Sequence, residues 1–308
     1  MIRTVLGDIA PAELGVTYMH EHLIIDSEIV ARDFEHIHLP SVEDAKSELL
    51  ICKNVGVSAM VDCMPTGSGR DIKKLAEISK GSGVHLIAAT GLHTSKYYRS
   101  SDELEIASIE KLSDIFISEI VDGCESTSYK AGIIKVATSG EAPTDRELRL
   151  FEAAAITQEV TGAPILTHCE HGKGALQQID IFLKLGINLE NVVMSHTDKE
   201  PDSSYHNEIL STGINVEYDQ SLRQIEMEEP ASALLTVEMF ESGYGGQIML
   251  GTDGARRSLW TTLGGTPGLS ALYLQWSNKL KSVGVSDDNL QAMFVTNPAK
   301  FLSFKGGK

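Results

Sequence analysis

The segment from Pro164 to Gly186 reads PILTHCEHGKGALQQIDIFLKLG and predicts the repeating unit of the fold. Its first part, Pro164–His168, is an apolar run of the length that a buried strand needs. Gly186 ends the segment at a position typical of a helix C-terminus. Between them, apolar residues recur at helical spacing at Leu176, Ile179, Phe182 and Leu183. The segment is therefore predicted to be a strand followed by a helix.

The same unit recurs along the whole chain. Apolar runs alternate with helical patterns, and after the fourth run Thr144 and Glu147 have the spacing of a helix-capping box. Alternating strands and helices imply a parallel sheet, and eight such units favour a closed (β/α)8 TIM barrel over an open doubly wound sheet. We expect an α/β fold with a single domain over residues 1–308. The eight predicted strands are Val16–His20, Val57–Asp62, Leu86–Thr90, Gly132–Val136, Pro164–His168, Val192–His196, Ile214–Tyr218 and Ile248–Gly251.

The composition restricts the partners and the compartment of the protein. The 308 residues include 26 Lys and Arg against 43 Asp and Glu, a net charge of −17, which argues against binding to nucleic acid or to an anionic membrane surface. No apolar run reaches the length of about 18 residues that a membrane-spanning helix requires. The 4 cysteines form no CxxC pair and are interpreted as buried thiols in a reducing compartment. We therefore expect a cytoplasmic globular protein.

A pair of histidines lies at the end of the first predicted strand. His20 and His22 flank Glu21. Because side chains alternate across a strand, both imidazoles are expected to point into the barrel and Glu21 away from it. Two convergent imidazoles suit a divalent metal ion, although many such pairs are only surface histidines. The position strengthens the interpretation, because active sites of these barrels lie where the strands end.

Three further residues of metal-ligand type lie at the ends of other predicted strands. His168 ends the fifth strand, His196 ends the sixth, and Asp253 follows the eighth. Each could have a simpler role, as a half-buried histidine or as a helix cap. Together with the first pair, they would converge on one mouth of the barrel. The sequence therefore predicts a metal centre at that mouth.

Lys135 lies among apolar residues in the fourth predicted strand. A buried ammonium is costly unless it is paired, and burial lowers the pKa of an amine. The neutral amine can add carbon dioxide to form a carbamate, and its two oxygens could bridge two metal ions. An ion pair inside the barrel is the alternative role for this lysine.

Five segments carry a resemblance to a known family. They are, in chain order, GVTYMHEHL (Gly15–Leu23), GIIKVATSG (Gly132–Gly140), TGAPILTHCEHG (Thr161–Gly172), SHTD (Ser195–Asp198) and GTDGAR (Gly251–Arg256). These segments resemble the motifs of the phosphotriesterase family within the amidohydrolase superfamily. The similarity extends from Thr4 to Phe304 and keeps the family's order of motifs.

The resemblance implies a (β/α)8 barrel with a binuclear metal centre, usually of zinc. The more buried ion would be bound by His20, His22 and Asp253, and the more exposed ion by His168 and His196. Carboxylated Lys135 would bridge both ions together with a hydroxide. That hydroxide would attack the substrate, and Asp253 would act as the catalytic residue by taking its proton. The expected cofactors are two divalent ions, zinc with manganese or cobalt as alternatives, and the carbamate on Lys135.

The loops that follow the strands predict the substrate contacts. The family includes organophosphate triesterases, acyl-homoserine lactonases and lactonases of phosphorylated sugar lactones. His93 stands where the homoserine lactonases tend to have Tyr and the triesterases Trp, so the chain resembles the sugar lactonases more. Those enzymes hold the substrate phosphate with an Arg, a Tyr and a Lys; Arg256 matches the Arg, but Leu259 and Ile225 stand at the other two positions. We predict substrate contacts from His93, Arg223 and Arg256.

The sequence thus predicts a metal-dependent hydrolase of ester bonds, acting on a lactone or carboxylic ester such as a phosphorylated sugar lactone. The alternatives are an organophosphate triesterase or an amide-cleaving amidohydrolase with the same site, and a binding protein without catalysis. The predicted partner is a small-molecule substrate, and we expect a homodimer. For Arg256, the alternative to a substrate contact is an ion pair with a loop acid such as Asp219.

Overall fold

Eight parallel strands form a barrel in the computed structural model, which describes residues 1–306; Gly307 and Lys308 of the predicted domain lie outside the described residues. Each barrel strand pairs with the next one along the chain. The ring is completed by the backbone N–H groups of Thr252 and Asp253, which donate to the carbonyl oxygen of His20 over 3.2 and 3.0 Å. The predicted barrel is therefore confirmed, and the open sheet is wrong. The strands are β1 (Ile2–Thr4) and β2 (Gly7–Ile9), which form a hairpin, and the barrel strands β3 (Val16–Glu21), β4 (Val57–Asp62), β5 (His85–Gly91), β6 (Ile133–Thr138), β7 (Ile165–Cys169), β8 (Val192–Ser195), β9 (Asn215–Tyr218) and β10 (Ile248–Leu250).

Helices follow the barrel strands on the outside. They are α1 (Glu28–Asp33), α2 (Val42–Asn54), α3 (Ile72–Ser82), α4 (Glu103–Ile106), α5 (Ile109–Val121), α6 (Asp145–Thr161), α7 (Ala175–Lys184), α8 (Ser203–Ser211), α9 (Ser221–Gln224), α10 (Ala231–Glu241), α11 (Ser277–Ser282), α12 (Asp287–Gln291) and α13 (Asn297–Leu302). The predicted capping box is confirmed, because Thr144 and Glu147 each bind the other's backbone N–H at the start of α6. Of the apolar residues that predicted this helix, Ile179 and Phe182 are buried in α7, whereas Leu183 is 55% exposed. Within residues 1–306, each helix is too short or too polar to span a membrane.

The barrel interior is apolar at the end where the strands begin. The cluster at this end includes Ile133, Leu166, Val193 and Met249, each from the first two residues of its strand. Ile2 of the hairpin and Phe301 of α13 belong to the same cluster and cover it. The sequence did not predict the hairpin, whose strands have only three residues each. Because apolar side chains fill this end, polar ligand-type residues are left to the opposite end.

Candidate active site

The ligand-type residues predicted from sequence meet at the end of the barrel where the strands finish. The ring centroid of His196 lies 4.7 Å from that of His20 and 4.5 Å from that of His168. The ring centroids of His20 and His22 are 5.3 Å apart. The four imidazoles and Asp253 line one cavity of about 520 Å³. The structure therefore shows these five residues at one mouth of the barrel, and this convergence is the basis for predicting a metal centre.

The local backbone that presents these side chains departs from regular strand geometry. Met19 belongs to the interior cluster, yet the adjacent His20 also contacts residues inside the barrel. The pairing of β3 with β4 is irregular between Tyr18 and Glu21, and such irregularities re-aim side chains next to active sites. His196 and Asp253 follow their strands with φ values of 70° and 46°, a region that residues other than glycine seldom adopt. Strained backbone of this kind clusters at functional sites.

Lys135 lies beneath the cavity and is fully buried. Its Nζ atom makes no hydrogen bond within residues 1–306. No carboxylate oxygen of these residues lies within 4.0 Å of Nζ, the distance that an ion pair requires. The ion pair that was the alternative for this lysine is therefore absent from the described part of the chain. Burial lowers the pKa of Lys135, which favours the neutral amine.

Three of the four histidines have a carboxylate from outside the predicted ligand set beside one ring nitrogen. Nε2 of His168 lies 2.9 Å from Oε2 of Glu170, and Nδ1 of His196 lies 2.5 Å from Oδ2 of Asp219. Nδ1 of His20 lies 2.9 Å from the Ser195 hydroxyl and 3.3 Å from Oε2 of Glu217. In each ring the other nitrogen is left available, and metal-binding histidines are commonly oriented in this way. Sequence reasoning did not identify Glu170, Asp219 or Glu217 as partners of these histidines.

The protonation of this cluster suits metal binding. Burial and the neighbouring His196 lower the pKa of His168 to about 3, so its imidazole is neutral at physiological pH. The hydrogen bond with His168 lowers the pKa of Glu170 to about 2. Burial raises the pKa of Asp219, but His196 outweighs this effect and holds it at about 2. Neutral imidazoles beside ionised carboxylates are the state that a ligand set requires.

Asp253 is held by contacts on both of its carboxylate oxygens. Oδ1 lies 3.5 Å from Nε2 of His22, and Oδ2 lies 3.1 Å from Nη2 of Arg223. Burial raises the pKa of Asp253, but His22, His196 and Arg223 together hold it well below its usual range. Asp253 is therefore ionised and positioned at the cavity wall.

The donor atoms fall into two groups of the size that a metal ion needs. Ligand atoms of His20, His22 and Asp253 lie within 4.8 Å of one another, which matches the set implied for the more buried ion. Ligand atoms of His20, His196 and Asp219 form the second group. His168 belongs to neither group, although its ring packs against His196. Nδ1 of His22 and Nζ of Lys135 are buried atoms without a hydrogen-bond partner, and together with the imidazole and carboxylate donors they fit a divalent metal.

The predicted substrate residues all line the same cavity. His93 is buried, and its ring packs edge-on against Tyr97 with centroids 4.6 Å apart. Arg223 is partly buried, whereas Arg256 is exposed and forms no ion pair with any other described residue. Asp219 is paired with His196, so the alternative ion pair between Arg256 and Asp219 is wrong. Lys199, which sequence reasoning did not identify, also lines the cavity.

The fold and this cluster of side chains place the protein among the (β/α)8 barrels that have a candidate metal centre at the ends of the strands. A model of the phosphotriesterase family matches residues 1–302, and the chain belongs to this family. It is 31% identical to a phospho-furanose lactonase of Mycoplasmopsis synoviae, covering 98% of this chain and 91% of that protein. It is 26% identical to an N-acetyltaurine hydrolase of Danio rerio, covering 99% of this chain and 98% of that protein. The crystal structure of a lactonase from Listeria monocytogenes superposes with a TM-score of 0.93, at 28% identity and 99% coverage of both chains.

Proposed function

We propose that this protein is a metal-dependent hydrolase that cleaves a lactone or carboxylic ester in the cavity at the barrel mouth. The observation that carries the proposal is the convergence of four imidazoles and Asp253 above a buried, unpartnered Lys135. Membership of the phosphotriesterase family and the two lactonases among the similar proteins support it.

The metal centre of the proposal holds two divalent ions. The proposed ligands are His20, His22, Lys135, His168, His196 and Asp253, with Lys135 carboxylated. Zinc suits this mixture of imidazole and carboxylate donors, and manganese or cobalt are the alternatives. When bound at such a site, divalent ions lower the pKa of water towards neutrality and polarise a carbonyl oxygen.

Asp253 is the proposed catalytic residue among the protein's own groups. Its carboxylate is ionised, so it can accept a proton at Oδ1 or Oδ2 and return it to the leaving group. The contact of Oδ2 with Arg223 holds the carboxylate towards the cavity. His93 and Tyr97 line other parts of the cavity wall, where they can contact the substrate.

The cations around the cavity favour an anionic substrate. Arg256 and Lys199 are exposed at the cavity wall and have no ion-pair partner among residues 1–306. A guanidinium and an ammonium suit the carboxylate or phosphate of a substrate. Ile225 and Leu259 replace two phosphate-binding positions of the sugar lactonases, and we propose that Lys199 supplies the second charge. A furanose lactone with a terminal phosphate is the substrate class that best fits these cations and the similar phospho-furanose lactonase.

Amide hydrolysis is the second candidate. The same site can attack an amide carbonyl, and one similar protein is an N-acetyltaurine hydrolase that the chain matches over 99% of its length. A third possibility is organophosphate triesterase activity, which gives the family its name, and the experiment described below tests it as well.

The test compares substrates on one metal-loaded preparation. Protein loaded with zinc is assayed with matched lactones, carboxylic esters, N-acyl amides and phosphate triesters, using a pH indicator, and its metal content is measured. We expect lactones or esters to be cleaved fastest, and Asp253→Asn to lose activity by about 100-fold or more while it retains metal. Faster amide cleavage would favour the second candidate. A protein that binds fewer than about one ion and cleaves none of them would favour a binding function instead.

A further inference from the structure

Glu217 is a buried carboxylate that the proposed reaction does not use. It lies on β9, directly opposite Ser195 of β8 in the parallel register, and its exposure is 0%. Neither of its oxygens has a hydrogen-bond donor in residues 1–306. Leaving a carboxylate buried without a partner is costly, so its place in the barrel interior requires a physical reason.

The barrel is built to make room for this carboxylate beneath His20. A Cβ atom at Gly251 of the neighbouring chain segment would lie 2.4 Å from Oε1 of Glu217 and 2.8 Å from Cβ of His20. Any residue other than glycine would therefore displace the carboxylate or the imidazole. Glu217 and His20 occupy the space that the absent side chain leaves.

Glu217 contacts one histidine and also lies beside the carboxylate of Asp219. Oε2 lies 3.3 Å from Nδ1 of His20, and Ser195 Oγ lies 2.9 Å from the same nitrogen. Nζ of Lys135 on β6 forms no ion pair with Glu217. The Nε2 atom of His20 is therefore the nitrogen left for a metal ion, with Nδ1 facing the Glu217 carboxylate.

We propose that Glu217 is a positioning residue that orients His20 towards the metal centre and balances its charge. This inference rests on the proposed metal centre. A carboxylate beside the distal nitrogen of a metal-binding imidazole fixes the ring and makes it a better ligand. The positive charge of bound divalent ions would also make the buried Glu217 carboxylate less costly than it is in the metal-free protein.

Glu217→Gln tests the proposal through metal affinity, without any substrate. Zinc affinity is measured by competition with a chelator, cobalt-loaded protein is compared by its visible absorption spectrum, and the melting temperature of the metal-free protein is recorded. We expect zinc affinity to fall by about tenfold or more and the cobalt spectrum to change. The melting temperature of the metal-free variant should not fall, because neither oxygen of Glu217 accepts a hydrogen bond that the variant would lose.

Glu48→Gln is the matched control. Glu48 is also fully buried, but it accepts hydrogen bonds from the backbone of Thr262 and Leu269 and contacts no proposed ligand. This variant should melt at a lower temperature and keep its zinc affinity. Glu217→Asp, which keeps the charge on a shorter side chain, should lose less affinity than Glu217→Gln.

Three results would overturn the role of Glu217. They are an unchanged zinc affinity in Glu217→Gln, an equal loss of affinity in Glu48→Gln, and, if Glu217→Gln does not fold, an unchanged affinity in Glu217→Asp. If the original protein binds zinc but cleaves no ester or lactone, the proposed function fails while the role of Glu217 is still decided by these affinities. If it binds no divalent ion, both proposals fail.

Discussion

Nη2 of Arg223 lies 2.9 Å from the main-chain oxygen of Asp253 and 3.1 Å from its Oδ2. Nη1 of the same guanidinium donates to the main-chain oxygens of Thr252 and Asp219 over 2.8 and 3.1 Å. These bonds connect the segment that follows β9 with the segment that follows β10. Asp253, with its positive φ, lies in the second of these segments. The contacts favour a role for Arg223 in holding Asp253, whereas the sequence predicts a direct contact with substrate.

Arg223→Met is therefore expected to impair turnover of all substrates alike. Losing the guanidinium releases the strained Asp253 backbone, and kcat should fall by between about tenfold and 100-fold for neutral and anionic lactones of the same ring size. The measurement is kcat and KM for both lactones, with metal content as the control. A loss confined to KM for the anionic lactone would show instead that Arg223 binds the substrate, as predicted from sequence.

Lys135→Ala is expected to lose both metal and activity. The proposed carbamate provides two oxygens to the ions, and the variant has none at that position. Acetate or propionate should restore part of both by occupying the space left in the barrel, because a small carboxylate presents the same pair of oxygens. Metal content by elemental analysis and activity against added acid are the measurements. Lys184→Ala, an exposed position on α7, is the control and should show no dependence on acetate.

The carbamate itself has a separate check. The intact mass of native, metal-loaded protein should exceed that of denatured protein by one carbon dioxide in addition to the bound ions, since a carbamate is released on unfolding. A free amine at Lys135 between two bound ions would contradict the carbamate.

The eight strands and the metal-ligand types could be predicted from sequence because each depends on a local pattern. Apolar runs mark the strands, and His20, His168, His196 and Asp253 come at or just after the ends of such runs. Parallel strands bring these ends to one edge, so the meeting of the side chains follows from topology alone. Membership of the family and the barrel are confirmed, whereas the homodimer and the cytoplasmic location stay predictions.

The residues that sequence reasoning missed are carboxylates whose role depends on contacts with side chains of neighbouring strands. Alternation along Asn215–Tyr218 does indicate that Glu217 and Asp219 share the inward face, but only the barrel register places them beside particular histidines. Glu170 follows the end of its strand in a short turn, where no periodic pattern exists. The irregular pairing of β3 near Met19 likewise depends on its neighbour and leaves no mark in the sequence.

Glu119 provides a test of stability away from the metal centre. Its carboxylate pairs with the buried Arg70 over 2.6 Å and accepts hydrogen bonds from Thr66 and Thr90. Glu119→Gln leaves the buried guanidinium of Arg70 with only the more exposed Glu125 as a charge partner, and the free energy of unfolding at pH 7 should fall by about 2 kcal/mol. Denaturant titration measures this change. Glu103→Gln, at an exposed position, is the control and should leave the stability unchanged.

The same variant has a defined pH dependence. Burial raises the pKa of Glu119, but Arg70 outweighs it and holds the pKa below the ordinary value of 4.5. The unfolded state therefore binds the proton more readily, so the contribution of Glu119 is complete above pH 4.5 and is lost as the pH falls through the folded-state pKa. The stability difference between the original protein and Glu119→Gln should shrink on acidification. A difference that is constant from pH 7 to pH 3 would contradict the ionised pair.

Arg256 and Lys199 test whether the substrate is anionic. A protein with a net charge of −17 repels anions, although salt screens this repulsion beyond a Debye length of about 8 Å. Capture of an anion therefore depends on cations at the cavity itself. Arg256→Met and Lys199→Met should each raise KM for a phosphorylated furanose lactone by about 30-fold, equivalent to about 2 kcal/mol for a charged hydrogen bond.

The unphosphorylated lactone of the same ring size distinguishes charge recognition from loop structure. Its KM should change less than about twofold in both variants, because it offers no group for either cation to bind. Lys96→Met is the matched control: Lys96 lines the same cavity, but its ammonium already lies 3.6 Å from Glu170, so the effect on the phosphorylated lactone should be smaller. Equal losses for both lactones in Arg256→Met and Lys199→Met would mean that these residues shape the loops, and the anionic substrate would then be abandoned in favour of a neutral lactone or ester.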